Sequence, residues 1–202
     1  LPYTRAKMQK STPNRPPTVR WRDDGAPRIN APESYNPPLP GAGMRIQALA
    51  AKARADLHAL RHPEADWMPT RLGPDGAPML DVLVIGAGQG GLSIAAHLLR
   101  ERVTNIMVVD KETAGAEGIW NSHGRMPVIR SPKHYPGPDM GIPNLTYEAW
   151  HRAAHGDISW EGMNFVPIPL WVDYLAWVRE TLDLQVRNAT EVTAIIPAPG
   201  GL

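Results

Sequence analysis

One stretch decides the fold of this 202-residue chain: LDVLVIGAGQGGL at residues 80–92. A run rich in Val, Leu and Ile passes directly into a glycine-rich loop, which is typical of a buried strand that turns into a helix. An apolar-faced helix is predicted over 92–102 and a second strand over 106–110. Strand, helix and strand within about thirty residues form a βαβ unit. The sequence therefore predicts an α/β fold with a parallel, doubly wound sheet.

The glycine loop matches the pattern G-x-G-x-x-G at Gly86, Gly88 and Gly91. Such glycines permit a tight turn, a close approach of the backbone to a pyrophosphate, and close packing of helix on strand. Asp110 ends the second strand, where a carboxylate accepts hydrogen bonds from a ribose and repels a 2′-phosphate. The combination predicts a Rossmann-like site for FAD or NAD rather than NADP, in preference to an ordinary strand-to-helix turn with a solvated Asp110.

Three segments, 81–92, 108–111 and 118–120, resemble the N-terminal FAD-binding part of flavin-containing monooxygenases and the related Baeyer–Villiger and N-hydroxylating enzymes. The similarity covers about residues 79–202. It implies a Rossmann-like FAD-binding domain that is part of a flavoprotein with two dinucleotide-binding domains. The resemblance implies these cofactor-binding residues: Gly86, Gly88, Gln89, Gly91, Asp110, Lys111, Gly118, Trp120 and, against the adenine, Val192.

The activity that the resemblance implies is FAD-dependent, NAD(P)H-using monooxygenation. Oxygen would enter a small organic substrate through a flavin C4a-peroxide, by N, S or ketone oxygenation with NADPH or NADH as co-substrate. Family members commonly carry an Asn ahead of a Pro-Lys pair near the flavin, whereas Ser131 precedes Pro132 here. Arg130 and Lys133 are the catalytic candidates, expected near the flavin ring or the nicotinamide phosphates.

Two other functions agree with the same residues. One is an FAD- or NAD-dependent dehydrogenase or oxidase without oxygen transfer, and the other is a non-enzymatic dinucleotide-binding module. A second glycine fingerprint for NAD(P)H does not occur within the 202 residues. We therefore expect the nicotinamide-binding domain to lie outside them, and further contacts to come from the remainder of a longer polypeptide, a second chain or a homo-oligomer.

Three regions are predicted: an extended Pro-rich arm at 1–43 with nine prolines, a helix and linker at 44–78, and the first part of an FAD-binding domain at 79–202. The first helix is predicted over 44–62. Long loops with a short helix at 147–154 are predicted for 113–170. A helix at 171–184 and strands at 185–187 and 191–196 follow.

Composition excludes several classes of site. The chain has no Cys, so it has neither disulfides nor thiolate metal ligands, and a cytoplasmic location is expected. Its apolar runs are too short for a membrane span. The basic N-terminal region would also suit a nucleic-acid arm or a transit peptide, but it shows no recognisable nucleic-acid-reading element beside the charge, so no nucleic-acid partner is expected. His151 and His155 have i, i+4 spacing but no H-E-x-x-H motif, so no metal is predicted.

Overall fold

The computed structural model describes residues 36–60, 62–120 and 123–196. Residues 1–35 lie outside the described residues, and with them most of the predicted arm. The helices are α1 (Ala42–Ala59), α2 (Gln89–Arg100), α3 (Tyr147–Gly162) and α4 (Ile168–Thr181), with a 3₁₀ turn at Pro143–Leu145. The strands are β1 (Val82–Ile85), β2 (Ile106–Val109), β3 (Val128–Pro132), β4 (Phe165–Pro167) and β5 (Val186–Arg187).

The predicted βαβ unit is confirmed. Strands β1 and β2 pair in parallel, β2 pairs in parallel with β5, and the sheet order is β1-β2-β5. Helix α2 buries Leu92, Ala95 and Ala96 against the face of the sheet that carries Val84 and Val108. The two alanines let the helix lie close to the strands. This mixed helix and sheet arrangement is consistent with a Rossmann-like α/β fold.

The predicted helices are present with shifted ends. The first begins two residues before and ends three residues before its predicted limits. Helix α3 continues past its predicted end at residue 154, with a kink at Gly156, where φ is 82° and ψ is 171°. Helix α4 starts three residues earlier than predicted. Pro169 is tolerated in its first turn, because the backbone N–H that proline lacks would have no acceptor within the helix at that position.

Two parts of the strand prediction are wrong. Residues 191–196 form no strand, and all but Val192 are exposed, since no strand in the part of the chain that the structure describes pairs with this segment. Conversely, β3 and β4, which are separated in sequence by α3, pair antiparallel in a two-stranded sheet with a register shift between Ile129 and Pro132. It lies inside the segment predicted as loops, because its Pro and Gly content hides the alternation.

The core beside the sheet is aromatic. Helices α3 and α4 bring together a cluster of six large rings: Tyr147, Trp150, Trp160, Trp171, Tyr174 and Trp177. Burial raises the pKa of the Tyr174 phenol, which donates a hydrogen bond to the Leu145 carbonyl at 2.9 Å. Among the described residues, no helix is both long and apolar enough to cross a bilayer.

Candidate dinucleotide-binding site

The glycine loop joins β1 to α2 with backbone contacts that only glycine allows. Gly86 has a φ of 99°, in the left-handed region. A Cβ atom on Gly91 would lie 1.8 Å from the Gly86 carbonyl oxygen, so helix and loop touch directly. The first hydrogen bond of α2 runs from the Leu92 N–H to the Gly88 carbonyl at 3.0 Å. The amides of the first turn thus have no intrahelical acceptor, and they can donate to an anion.

Asp110 is buried and joins the end of β2 to the glycine loop. Its side chain is 6% exposed, with Oδ2 accepting from the Ala87 N–H at 2.6 Å and Oδ1 from the Glu112 N–H at 2.8 Å. The alternative of a solvated strand end is therefore wrong. Each carboxylate oxygen has a second lone pair, so the predicted bond to a ribose hydroxyl stays chemically open.

Gly118 lies against the glycine loop, although it follows Gly88 by thirty positions in the sequence. A Cβ atom on Gly88 would lie 3.0 Å from the Gly118 Cα, and Gly118 itself has a φ of 75°. Trp120 is half-buried and packs against the core. Two parts of the predicted site, the G-x-G loop and the Gly-x-Trp element, are thereby brought together.

A polar network that the sequence analysis missed lies beside Gly118. Glu117 Oε1 accepts hydrogen bonds from Arg179 Nη1 and, at 2.6 Å, from Asn188 Nδ2. Glu117 Oε2 accepts from the Gly115 N–H at 2.7 Å. The Glu117 and Arg179 side chains are 10% and 14% exposed. No residue spacing reveals such a network, and the adjacency of Glu117 to Gly118 is the one signal that could have pointed to it.

Three other predicted binding residues have different surroundings. Gln89 Oε1 accepts a hydrogen bond from Trp171 Nε1 at 3.2 Å, so its side chain ties the loop to α4. Lys111 is exposed, with its Nζ 3.8 Å from Glu112 Oε1. Val192 is half-buried just after Thr190, whose N–H donates to the Asp110 carbonyl at 2.8 Å. Val192 therefore follows a segment that borders the predicted ribose site.

The two catalytic candidates lie on and just after β3. Arg130 is exposed. Lys133 is half-buried, and its Nζ donates to the Trp160 carbonyl at 2.5 Å and stands 4.6 Å from the centre of the Trp160 ring. The ammonium group therefore contacts α3, and it is not brought together with the glycine loop in this conformation.

His151 and His155 stack on each other in the aromatic core, with ring centres 4.8 Å apart. Burial, together with the neighbouring charges of His155, Lys133 and Arg152, lowers the pKa of His151 to about 3. His151 Nε2 lies 3.0 Å from Ser159 Oγ, and His155 Nδ1 lies 2.9 Å from the Asn36 carbonyl oxygen. Across the described ranges, no three His, Cys, Asp or Glu side chains converge on a possible metal position.

Comparison with known proteins agrees with this geometry. A family model described as FAD-NAD(P)-binding matches residues 83–198, which is more than half of the chain. The chain belongs to the FAD-NAD(P)-binding family. The matched range of this FAD-NAD(P)-binding chain begins in β1 and contains the glycine loop, Asp110 and Gly118.

Two curated proteins are similar to this FAD-NAD(P)-binding chain. An FAD-dependent urate hydroxylase from Xanthomonas campestris pv. campestris is 42% identical over 159 residues, which are 78% of this chain and 33% of that protein. The sarcosine oxidase subunit beta of Rhizobium meliloti is 33% identical over 95 residues, 46% of this chain and 21% of that subunit. The chain thus spans about a third or less of these relatives. No solved structure matches it.

The residues present fit a bound dinucleotide. The first turn of α2 supplies amide donors at the positive end of a helix dipole, which is where a pyrophosphate binds in this type of loop. A Cβ atom on Gly90 would meet nothing within 4 Å, so there is open space beside these amides. Asp110 stands at the end of the neighbouring strand, where a ribose would lie.

Proposed function

We propose that the complete protein is an FAD-dependent monooxygenase that uses NADH or NADPH and O2 to oxygenate a small organic substrate. The observation that carries this proposal is the glycine loop, buried against Asp110 and Gly118 in a chain of the FAD-NAD(P)-binding family. The urate hydroxylase similarity, at 42% identity, supports oxygen transfer as the reaction. Bound FAD would supply the redox chemistry with O2.

The residues of this chain have binding and orienting roles in the proposed enzyme. The α2 amides and Gly88 hold the pyrophosphate, Asp110 binds the ribose, and Val192 contacts the adenine. Gly118 and Trp120 lie along the cofactor, and Lys111 stands at the adenosine side. Gln89 positions the loop through its hydrogen bond with Trp171.

Arg130 and Lys133 are proposed to stabilise negative charge on the flavin or to bind the nicotinamide phosphates. Arg130 is exposed and can reach a bound anion without losing a partner among the described residues. For Lys133 to do so, its ammonium would have to leave the Trp160 carbonyl. Arg130 is thus the stronger candidate of the two.

A second candidate function, substrate oxidation without oxygen transfer, is favoured by the similarity to the sarcosine oxidase subunit. The two reactions differ in their atom balance. A monooxygenase converts substrate, O2, NAD(P)H and a proton into oxygenated substrate, water and NAD(P)+. An oxidase transfers two electrons and two protons from substrate to O2 and releases H2O2.

The test is turnover of the full-length protein with isotopically labelled O2, NADH or NADPH, and urate as the first substrate. Label in the organic product, with NAD(P)H consumed in equal amount, is the result expected for a monooxygenase. Stoichiometric H2O2 from an oxidised but unlabelled product would favour the oxidase. A flavin that neither NAD(P)H nor substrate reduces would indicate a non-enzymatic module.

A further inference from the structure

We infer that Arg179, Glu117 and Asn188 form a clamp that holds the adenosine side of the dinucleotide site in its binding conformation, and that this clamp sets the affinity for FAD. The inference rests on the proposed function and extends it to residues that neither the family match nor the sequence motifs assign. They are positioning residues, since they act on the cofactor through the backbone that they hold.

The clamp joins three segments that are far apart in the sequence. Arg179 belongs to the last turn of α4, Glu117 to the loop after β2, and Asn188 to the segment after β5. Asn188 also donates through Nδ2 to the Glu112 carbonyl at 3.1 Å. The network therefore fixes both strand-end segments of the site to one rigid helix.

Both clamped segments carry predicted cofactor contacts. Glu117 directly precedes Gly118, whose backbone lies against Gly88. Asn188 precedes Thr190, which donates to the Asp110 carbonyl, and Val192 follows. A shift of Glu117 would move the Gly118 backbone away from the glycine loop, and a shift of Asn188 would move the predicted adenine contact.

The loop between β2 and Gly118 has little apolar burial to order it. Lys111, Thr113, Ala114 and Gly115 are exposed, so the loop contributes almost no apolar burial. Ordering a residue costs backbone entropy, and a loop that is already ordered before FAD binds does not subtract that cost from the binding free energy. The first half of the loop is held by backbone bonds and by the Asp110 carboxylate, which accepts from the Glu112 N–H. The hydrogen bonds of Glu117 to Arg179, Asn188 and the Gly115 N–H hold the half that leads into Gly118.

The geometry requires an arginine. Arg179 presents Nη1 to Glu117 and Nη2 to Asn188 Oδ1, the second at 3.2 Å. A planar guanidinium can serve both acceptors at once in fixed directions, whereas a lysine ammonium is a single point of charge. Arg179→Lys is therefore expected to keep the attraction to Glu117 and to lose the fixed orientation.

The experiment compares full-length variants in their flavin-free form: Arg179→Met, the isosteric Glu117→Gln, and Arg179→Lys. FAD titration gives the Kd, and amide hydrogen exchange of the flavin-free protein reports on residues 111–118 and 188–192. The matched control is Arg152→Met, which loses three carboxylate partners on α3 but does not touch the clamp.

We expect the Kd for FAD to rise about 10- to 100-fold in Arg179→Met and Glu117→Gln, from the loss of charge-assisted hydrogen bonds, with Arg179→Lys in between. Exchange should accelerate in the two clamped segments and not in α1 or α3. Arg152→Met should stay within about twofold of wild type in its Kd for FAD.

Wild-type FAD affinity in both Arg179→Met and Glu117→Gln would overturn the inference and leave the proposed function intact. Exchange that accelerates equally in all helices would also overturn it, because the network would then be a general stabilising contact. A wild-type protein that binds no FAD would overturn the proposed function and the clamp together.

Discussion

At the scale of single residues, the site depends on backbone atoms that approach one another more closely than side chains permit. Gly91 faces the Gly86 carbonyl, Gly88 faces Gly118, and the Asp110 carboxylate bridges two amides. Such contacts leave little room for substitution, and neighbouring positions with open space provide matched controls.

Gly91→Ala should destabilise the flavin-free protein by at least about 3 kcal/mol, since the new methyl group would overlap the Gly86 carbonyl oxygen. Gly90→Ala is the control, because nothing lies within 4 Å of its Cβ position in α2 and alanine favours helix. Urea denaturation measures both. Equal stability of the two variants would contradict the close contact.

Asp110→Asn should destabilise the flavin-free protein by about 2 kcal/mol and weaken FAD binding, because an amide NH2 would replace an oxygen that accepts from a buried N–H. Asp75→Asn is the control. Asp75 Oδ1 also accepts from a backbone N–H, that of Ala77 at 3.1 Å, but in an exposed turn. Unchanged stability and FAD affinity in Asp110→Asn would mean that its carboxylate holds neither loop nor ribose.

At the scale of elements, the sequence predicts correctly those elements that depend on interactions between residues close together in the chain. The strand β1, the loop and α2 followed from an apolar run, three glycines and a helical period, and the parallel pairing followed from their order. The two-stranded sheet β3–β4 and the irregular segment 191–196 did not follow from local pattern, because pairing there depends on whether a strand that is distant in sequence lies alongside.

The residues of the site divide in the same way, into those that a local sequence pattern identifies and those that only the tertiary fold brings together. Gly86, Gly88, Gly91 and Asp110 carry a spaced signature, and the structure brings them together. The clamp residue Arg179 lies 62 positions from Glu117 in sequence, so only the tertiary fold makes the two neighbours. The position of Lys133 near the flavin stays a prediction, and in this structure its ammonium donates to the Trp160 carbonyl.

The kinked helix α3 contains a pH-sensitive position. The pKa of His151 is lowered from 6.5 to about 3, so the folded state favours the neutral ring, and unfolding below pH 6.5 takes up a proton. The free energy that the neutral His151 ring contributes to folding is therefore fully present above pH 6.5, and it is lost as the pH falls towards 3. By pH 4.5 the loss should amount to roughly 2–3 kcal/mol.

Urea unfolding of flavin-free protein at pH 7 and pH 4.5 tests this expectation. His151→Gln should show a smaller drop in stability between the two pH values than wild type. The exposed His97, on α2, provides the control His97→Gln, which should keep the wild-type profile. An identical drop in His151→Gln and wild type would contradict the protonation of a buried His151.

At the scale of the whole molecule, the outer edge of β1 and the side chains on one face of this strand are left uncovered by the described residues. Leu83 and Ile85 on β1 are 44% and 51% exposed, and β1 pairs on one side only, with β2. An unpaired strand edge with apolar side chains favours association. We expect this surface to contact a further segment of the polypeptide or a second copy of the chain.

Residues 1–202 expressed alone should therefore self-associate, and the double substitution Leu83→Thr and Ile85→Thr should reduce that association. Ile158→Thr is the control, because Ile158 is a 91% exposed residue on α3, away from the sheet. Static light scattering measures the mass of each variant. A cooperative, FAD-saturated monomer of wild-type 1–202 would contradict the expectation.

The most direct measurement is the FAD content of purified full-length protein with and without a side chain at Gly88. We predict that the wild type is yellow and releases stoichiometric FAD on denaturation. We also predict that Gly88→Val and the smaller Gly88→Ala lose most of it while retaining helical circular dichroism, because a Cβ there would crowd Gly118 and the pyrophosphate path. Stoichiometric FAD in folded Gly88→Val, or a wild type that neither contains nor binds FAD, would contradict a flavin site at this loop.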